Sequence, residues 1–189
     1  IVHALSVRID EIIGHGHTNA ERQAEMDLET EARMIANVTA RLHAEEGKAP
    51  QGWMGPWVNE TRHTPDLLAL NGYSYVMDWM MDDQPVQLCT AHGPLVALPY
   101  ARPTNDITAL HGAKWTPQAW VDMLIDQVDE MLRQSLRQPL VFNISLHPYL
   151  MHAFRLKHLR RFLEYLSTVR DQLWVARCAD IALCAKLKT

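Results

Sequence analysis

Residues 64–78 read Thr-Pro-Asp-Leu-Leu-Ala-Leu-Asn-Gly-Tyr-Ser-Tyr-Val-Met-Asp, and their pattern decides the fold. Thr64 is a capping residue, Pro65 suits a first helical turn and Asn71-Gly72 is a stop signal, so the spacing predicts a short helix. Tyr73 to Met77 then reads as a buried strand running into Asp78. The same alternation repeats outward in both directions. Upstream, Glu11-Ile12-Ile13-Gly14 is a short buried run, and Thr18-x-x-Glu21 reads as a capping box that starts a helix. Leu28, Ala32, Ile35, Val38 and Leu42 form its apolar stripe, ended by Gly47 and Pro50. Downstream, Leu95 to Leu98 is a strand closed by Pro99. Thr116-Pro117 opens a helix carrying Trp120, Leu124, Val128 and Met131, and Pro139 ends that region. Leu140 to Leu146 is the most strand-like run. A further helix carries Leu156, Leu159, Leu163 and Leu166, and Leu173 to Ala176 reads as a last short strand. Such alternation indicates a parallel α/β protein, a barrel or a doubly wound sheet, and we read a barrel.

The chain has 189 residues, a net charge of −4, 48% hydrophobic and 21% charged residues. That length suits one domain, residues 1–189, with a core of its own, and no linker or repeat interrupts it. With 8 Gly, 10 Pro and 3 Cys, collagen-like, disordered and disulfide-framework proteins are excluded. No apolar run approaches the roughly 18 residues of a bilayer span, so no membrane partner is expected. Mild acidity argues against a nucleic-acid partner. Cys89, Cys178 and Cys184 form no CxxC pair and nothing resembles a signal peptide, so a cytoplasmic, reducing location is expected. The chain opens on Ile1, and its first residues look like the end of an amphipathic segment.

In a parallel α/β fold the reacting groups gather where strands end at their carboxyl side. Three runs end in polar clusters: Ile13 in Gly14-His15-Gly16-His17, Met77 in Asp78-Trp79, and Leu146 in His147-Pro148. His15, Asp78 and His147 are therefore expected to share one mouth. His147 is the natural proton donor, because imidazole titrates nearest neutrality. His15 and His17, two apart in extended chain, would point the same way and could hold one metal. Trp53, Trp57 and Trp79 line a cleft or simply pack. Asp82-Asp83 reads as a solvated loop, Met77, Met80 and Met81 as core filler, and Lys157, His158, Arg160 and Arg161 as a solvated helix face.

These clusters, taken in order, resemble a known family. Gly14-His15-Gly16-His17-Thr18-Asn19, Gly52-Trp53-Met54-Gly55-Pro56, Tyr75-Val76-Met77-Asp78-Trp79 with Asp82-Asp83-Gln84-Pro85, Leu98-Pro99-Tyr100 with Asn105-Asp106, and Leu146-His147-Pro148 are similar to the polysaccharide deacetylase (NodB-homology) superfamily. The nearest subgroup holds metal-independent allantoinases, cyclic imide hydrolases and peptidoglycan deacetylase-like proteins. The resemblance runs from about residue 10 to residue 181.

The resemblance implies a distorted (β/α) barrel that hydrolyses a non-peptide carbon–nitrogen bond in a small amide, ureide, cyclic imide or N-acetylated sugar. By match, His15 and Asn19 stand at metal-ligand positions, His147 at the late-strand acid, and Trp53 to Pro56 at the substrate groove. Catalysis is thus expected from His147, Asp78 and His15, and substrate contact from Trp53, Pro56 and Trp79. Asn19 stands where the family has a histidine, and an amide oxygen is a poor zinc ligand, so a zinc cofactor is expected to be weak or absent. Arg102-Pro103-Thr104 lacks the subgroup's Glu, and Met151-His152-Ala153 lacks its Gly. The family's first strand, with its Asp pair, is expected to precede residue 1, since such barrels run to about 250 residues. An open barrel edge favours a homo-oligomer. Two other readings stand: a zinc amidohydrolase using His15 and His17, and a binding or scaffold protein that has lost the reaction.

Overall fold

The computed structural model describes residues 10–186, so the amphipathic opening expected at the start lies outside the described residues. In chain order the elements are α1 (Leu28–Glu46), β1 (Gly52–Trp53), α2 (Thr64–Leu70), β2 (Tyr75–Val76), β3 (Val86–Thr90), β4 (Gly93–Ala97), α3 (Pro117–Ser135), α4 (Ala153–Thr168) and α5 (Cys178–Lys186). They fall into two compact units. One takes the chain up to Leu98 and again from Ala176; the other is Pro99–Val175.

In the first unit, β1, β2 and β4 are parallel, and β3 returns antiparallel to β4, in the order β1-β2-β4-β3. Gly14 adds a parallel bridge to Trp53 on the β1 side. Both faces are covered, as a parallel sheet requires. Trp53, Val76, Leu95 and Ala97 pack with Met34, Ile35 and Val38 of α1 and Leu67 and Leu68 of α2. Tyr75, Val96 and Leu98 pack on the other side with Ala182 of α5. This two-sided burial is why Leu95 to Leu98 reads as an unbroken apolar run. Gly14 is required at its place, because a Cβ there would strike the Trp53 ring and lie 2.9 Å from the Tyr73 hydroxyl.

Several local expectations are corrected. The Thr18 box does not start a helix: α1 begins at Leu28, where Asp27 accepts the Thr30 amide at 2.7 Å. Thr64 heads α2 without capping it; its hydroxyl accepts the Thr61 amide at 2.9 Å and donates to Glu31. On α1 the buried stripe is Glu31, Met34, Ile35 and Val38, with Leu28 exposed. Met80 and Met81 are exposed loop residues, not core. The Asn71-Gly72 stop holds, with Gly72 at φ +81°.

In the second unit, α3 opens on Thr116, whose hydroxyl accepts the Ala119 amide at 3.1 Å, and packs against α4 through Trp120, Leu124, Val128, Leu159 and Phe162. Leu156 and Leu163 of α4 face solvent, so its buried stripe lies one step round from the expected one. Leu140 to Leu146 forms no regular strand; its only bridge is Ser145 to Asn105, in parallel sense. Leu173 to Ala176 forms none either, and Trp174 and Val175 are exposed. Apolar β-branched and aromatic composition favours extended chain, but a ladder also needs a partner strand, and none among the described residues pairs with these segments.

The three cysteines are free. No helix among the described residues is long and apolar enough to cross a membrane.

Candidate active site

Where β1 ends, the chain turns through Met54-Gly55-Pro56-Trp57-Val58; where β2 ends, it runs into Asp78. These two endings meet. The Gly55 amide donates to both carboxylate oxygens of Asp78, each at 2.9 Å. Glycine is needed for that approach, since a Cβ on residue 55 would collide with the Asn59 carbonyl and sit 2.8 Å from Gln23 Oε1. Asp78 is buried, at 9% exposure. Burial pushes its carboxyl up, although the Gly55 hydrogen bond opposes the shift. Glu60 faces it. Neither oxygen of Glu60 has a donor in hydrogen-bond geometry, and both are shut off from solvent. Desolvation first, then the Asp78 charge, push Glu60 up as well.

Beneath the turn lies a buried polar network. Gln23 donates to Glu31 Oε1 at 2.9 Å and to the Thr64 hydroxyl at 3.1 Å, and its own oxygen accepts the Trp53 indole N–H at 3.2 Å. Thr61 donates to the other Glu31 oxygen at 2.5 Å. The turn itself is strained: Trp57 and Val58 lie in the left-handed region at φ +66° and +53°. Trp57 is 66% exposed, gives its indole N–H to the Asn19 carbonyl at 2.7 Å, and carries the Arg22 guanidinium 5.7 Å from its ring centre.

His15 Nδ1 lies 2.5 Å from the Met54 carbonyl. A carbonyl only accepts, so Nδ1 carries the proton and Nε2 is left as the free acceptor. His17 is turned to Glu21, 3.6 Å away, and is exposed. Gly16 between them stands at φ +67°, so the segment is not extended and the common orientation expected of the two rings is lost. Asn19 is exposed and contributes its backbone carbonyl to Trp57. Among the described residues no three His, Cys, Asp or Glu side chains converge on a metal position. His15 and Asn19 alone do not make a metal set.

Of the expected substrate contacts, Trp53 is fully buried, edge-on to Tyr73 at 5.5 Å, and serves the core. Pro56 is buried against Gly16, and Trp79 is exposed next to Asp78. A cleft of about 370 Å³ opens at the opposite, amino end of the strands, lined by Glu11, Gln51, Ser74, Arg177 and Asp180 among others. None of the expected site residues lines it.

In the second unit, His147 follows the extended run and is held by Asp106. Asp106 Oδ1 is 2.5 Å from His147 Nδ1, and Oδ2 accepts the His147 backbone amide at 2.6 Å. Asp106 is fully buried, while the His147 side chain is 30% exposed. A carboxylate at Nδ1 fixes the tautomer that leaves Nε2 to exchange a proton. Asp106 is positioned in turn: its amide donates to the Ser145 carbonyl at 3.1 Å, and Asn105 beside it is bonded to the Tyr100 hydroxyl at 2.7 Å. Tyr149 stands edge-on to the imidazole at 5.5 Å.

No family model matches this sequence, and no curated protein sequence does either. Solved structures do match. A protein assigned as a polysaccharide deacetylase from Pseudomonas aeruginosa PAO1 superposes with a TM-score of 0.84 at 26% identity over 96% of this chain and 61% of its own. Puue allantoinase does so with 0.85 at 26% identity, over 96% of this chain and 60% of its own. The fold is that of the NodB-like superfamily. A third NodB-like neighbour, assigned as a polysaccharide deacetylase from Mycobacterium smegmatis, agrees in fold with a TM-score of 0.87 at 24% identity, over 99% of this chain and 66% of its own. The chain thus spans 60–66% of the length of these NodB-like proteins.

Glu60, Asp106 and the Gln23–Glu31 network were not assigned roles by sequence reasoning. Glu31 did leave a signal, because a carboxylate three, four and seven residues before Met34, Ile35 and Val38 sits on a buried helix face. Glu60 left none.

Proposed function

We propose that this chain carries a hydrolase site for a non-peptide carbon–nitrogen bond in a small amide, ureide, cyclic imide or N-acetylated sugar. The observation that carries the reading is the grip of buried Asp106 on His147 through both ring and backbone. A carboxylate-held imidazole has one nitrogen fixed and the other free, which is the arrangement needed to protonate a leaving group. In the reaction, a water oxygen bonds to the acyl carbon and loses a proton to solvent, the carbon–nitrogen bond breaks, and the leaving nitrogen takes a proton from His147 Nε2, which solvent replaces. The names of the neighbouring structures, polysaccharide deacetylase and allantoinase, support the same class of bond.

The test is turnover by the whole protein on a panel of allantoin, hydantoins, cyclic imides and N-acetylated sugars. Replacing His147→Ala should lower turnover on the preferred substrate by a factor of about 10² or more. Turnover unchanged by that substitution would remove the proposed acid, and binding without turnover would return the scaffold reading.

A further inference from the structure

We propose that Glu60 is a positioning residue for Asp78: the two buried carboxyls hold one proton between them near neutral pH, and that shared proton keeps Asp78 seated on the Gly55 amide. The inference rests on the hydrolase reading for its use and on geometry for its substance. Both Glu60 oxygens are closed to solvent and lack a donor, the Trp79 indole lying close without completing a hydrogen bond. A bare carboxylate cannot stand there cheaply, because an ionised group without water or a partner loses far more than a neutral one. Among the described residues, the carboxyl oxygens that face it for a proton to bridge are those of Asp78, whose other interaction is with Gly55. The next charge, Glu31, adds negative potential and is spoken for by Gln23, Thr61 and Thr64. Burial displaces both carboxyls upward, in keeping with a shared proton.

Two carboxyls with one proton behave unlike either alone. The pair resists losing its last proton, since two adjacent carboxylates would repel, and burial holds the other step above the ordinary carboxylate range as well. Asp78 is the member held in place at the end of β2, with both oxygens on the Gly55 amide. Within the first unit Asp78 can thus receive or give up a proton, and Glu60 would set how readily.

The experiment is a carboxyl ¹³C NMR titration of the protein labelled at Asp and Glu, with Asp78→Asn used only to assign signals. The wild type should show two carboxyls titrating in two separate steps, both well above the ordinary carboxylate range. In Glu60→Gln the upper step should vanish, with the Asp78 step left below it. Two ordinary carboxylate titrations in the wild type, or an upper step that persists in Glu60→Gln, would overturn the proposal; the wild-type curve decides alone if the variant does not fold. The pH profile of kcat/KM separates this from the function. If the titration behaves as expected and no substrate turns over, the shared proton stands and the hydrolase reading falls. Given turnover, Glu60→Gln should move the limb of that profile assigned to Asp78, which a merely structural Glu60 would not do.

Discussion

Asp106 binds His147 twice, at ring Nδ1 (2.5 Å) and at the backbone amide (2.6 Å), from a side chain with no exposure of its own. The second bond matters as much as the first. It ties the carboxylate to the main chain, so the imidazole cannot swing without dragging Asp106 out of a buried place.

Asp106→Asn should therefore impair the site nearly as much as loss of His147. The amide can still accept at its oxygen, but its NH₂ cannot accept from an N–H, so one of the two bonds to His147 is lost or the ring adopts the wrong tautomer. Turnover should fall by a factor of about 10² to 10⁴ with KM little changed. Steady-state kinetics on the preferred substrate read it out, and a large rise in KM with unchanged kcat would contradict the orienting role.

Val58 stands at φ +53°, a region that β-branched residues avoid. At an ordinary site an Ala variant is more stable than a Gly variant, because glycine has more freedom to lose. At residue 58 the order should reverse. Val58→Gly is expected to be more stable than Val58→Ala by about 1 kcal/mol, as measured by urea denaturation. The usual order, with Ala ahead, would mean the turn relaxes to negative φ.

In the first unit α2, β2 and β4 were legible because punctuation and periodicity agreed, whereas β1 and β3 were not foreseen and α1 begins at Leu28 rather than at the Thr18 box. Asn71-Gly72 stops α2, and the residues from Leu95 to Leu98 are apolar since both sheet faces are covered. The segment Leu140–Leu146 misled for the opposite reason: composition reports a preference for extended chain, whereas a strand is a relation between two segments. The candidate site was half legible. His147 and Asp78 stand at ends of apolar runs, where a parallel fold puts chemistry. Asp106 and Glu60 reach their partners, residues 147 and 78, across 41 and 18 positions of sequence, and no periodicity encodes such a meeting. The pairing of His15 with His17 failed on one torsion angle, that of Gly16.

Glu31 should prove the most stability-sensitive polar residue of the first unit. It is fully buried and receives hydrogen bonds from Gln23, Thr61 and Thr64. Glu31→Ala strands three donors in an apolar setting and should cost about 3 kcal/mol or more. Glu31→Gln keeps the shape and one acceptor, and the threonine hydroxyls can rotate, so it should cost clearly less. Equal losses in urea denaturation would show that packing, and not donor satisfaction, holds this network.

The carboxyls of Asp78 and Glu60 also give stability an unusual pH dependence. Folding raises both above their ordinary range, so between that range and neutrality the folded chain binds more protons than the unfolded one. By linkage, the stability they contribute is present in mild acid and is lost as pH rises through their folded values. The lowered carboxyls Asp27, Glu130 and Asp180 act the other way, but only at pH values below this window. The urea midpoint should therefore decline between about pH 5 and about pH 9, where most proteins are near their maximum. In Glu60→Gln the decline should be shallower, because one of the two raised groups is gone. A midpoint that is flat or rising across that window in the wild type would mean the two carboxyls stay ionised on folding, with water reaching them.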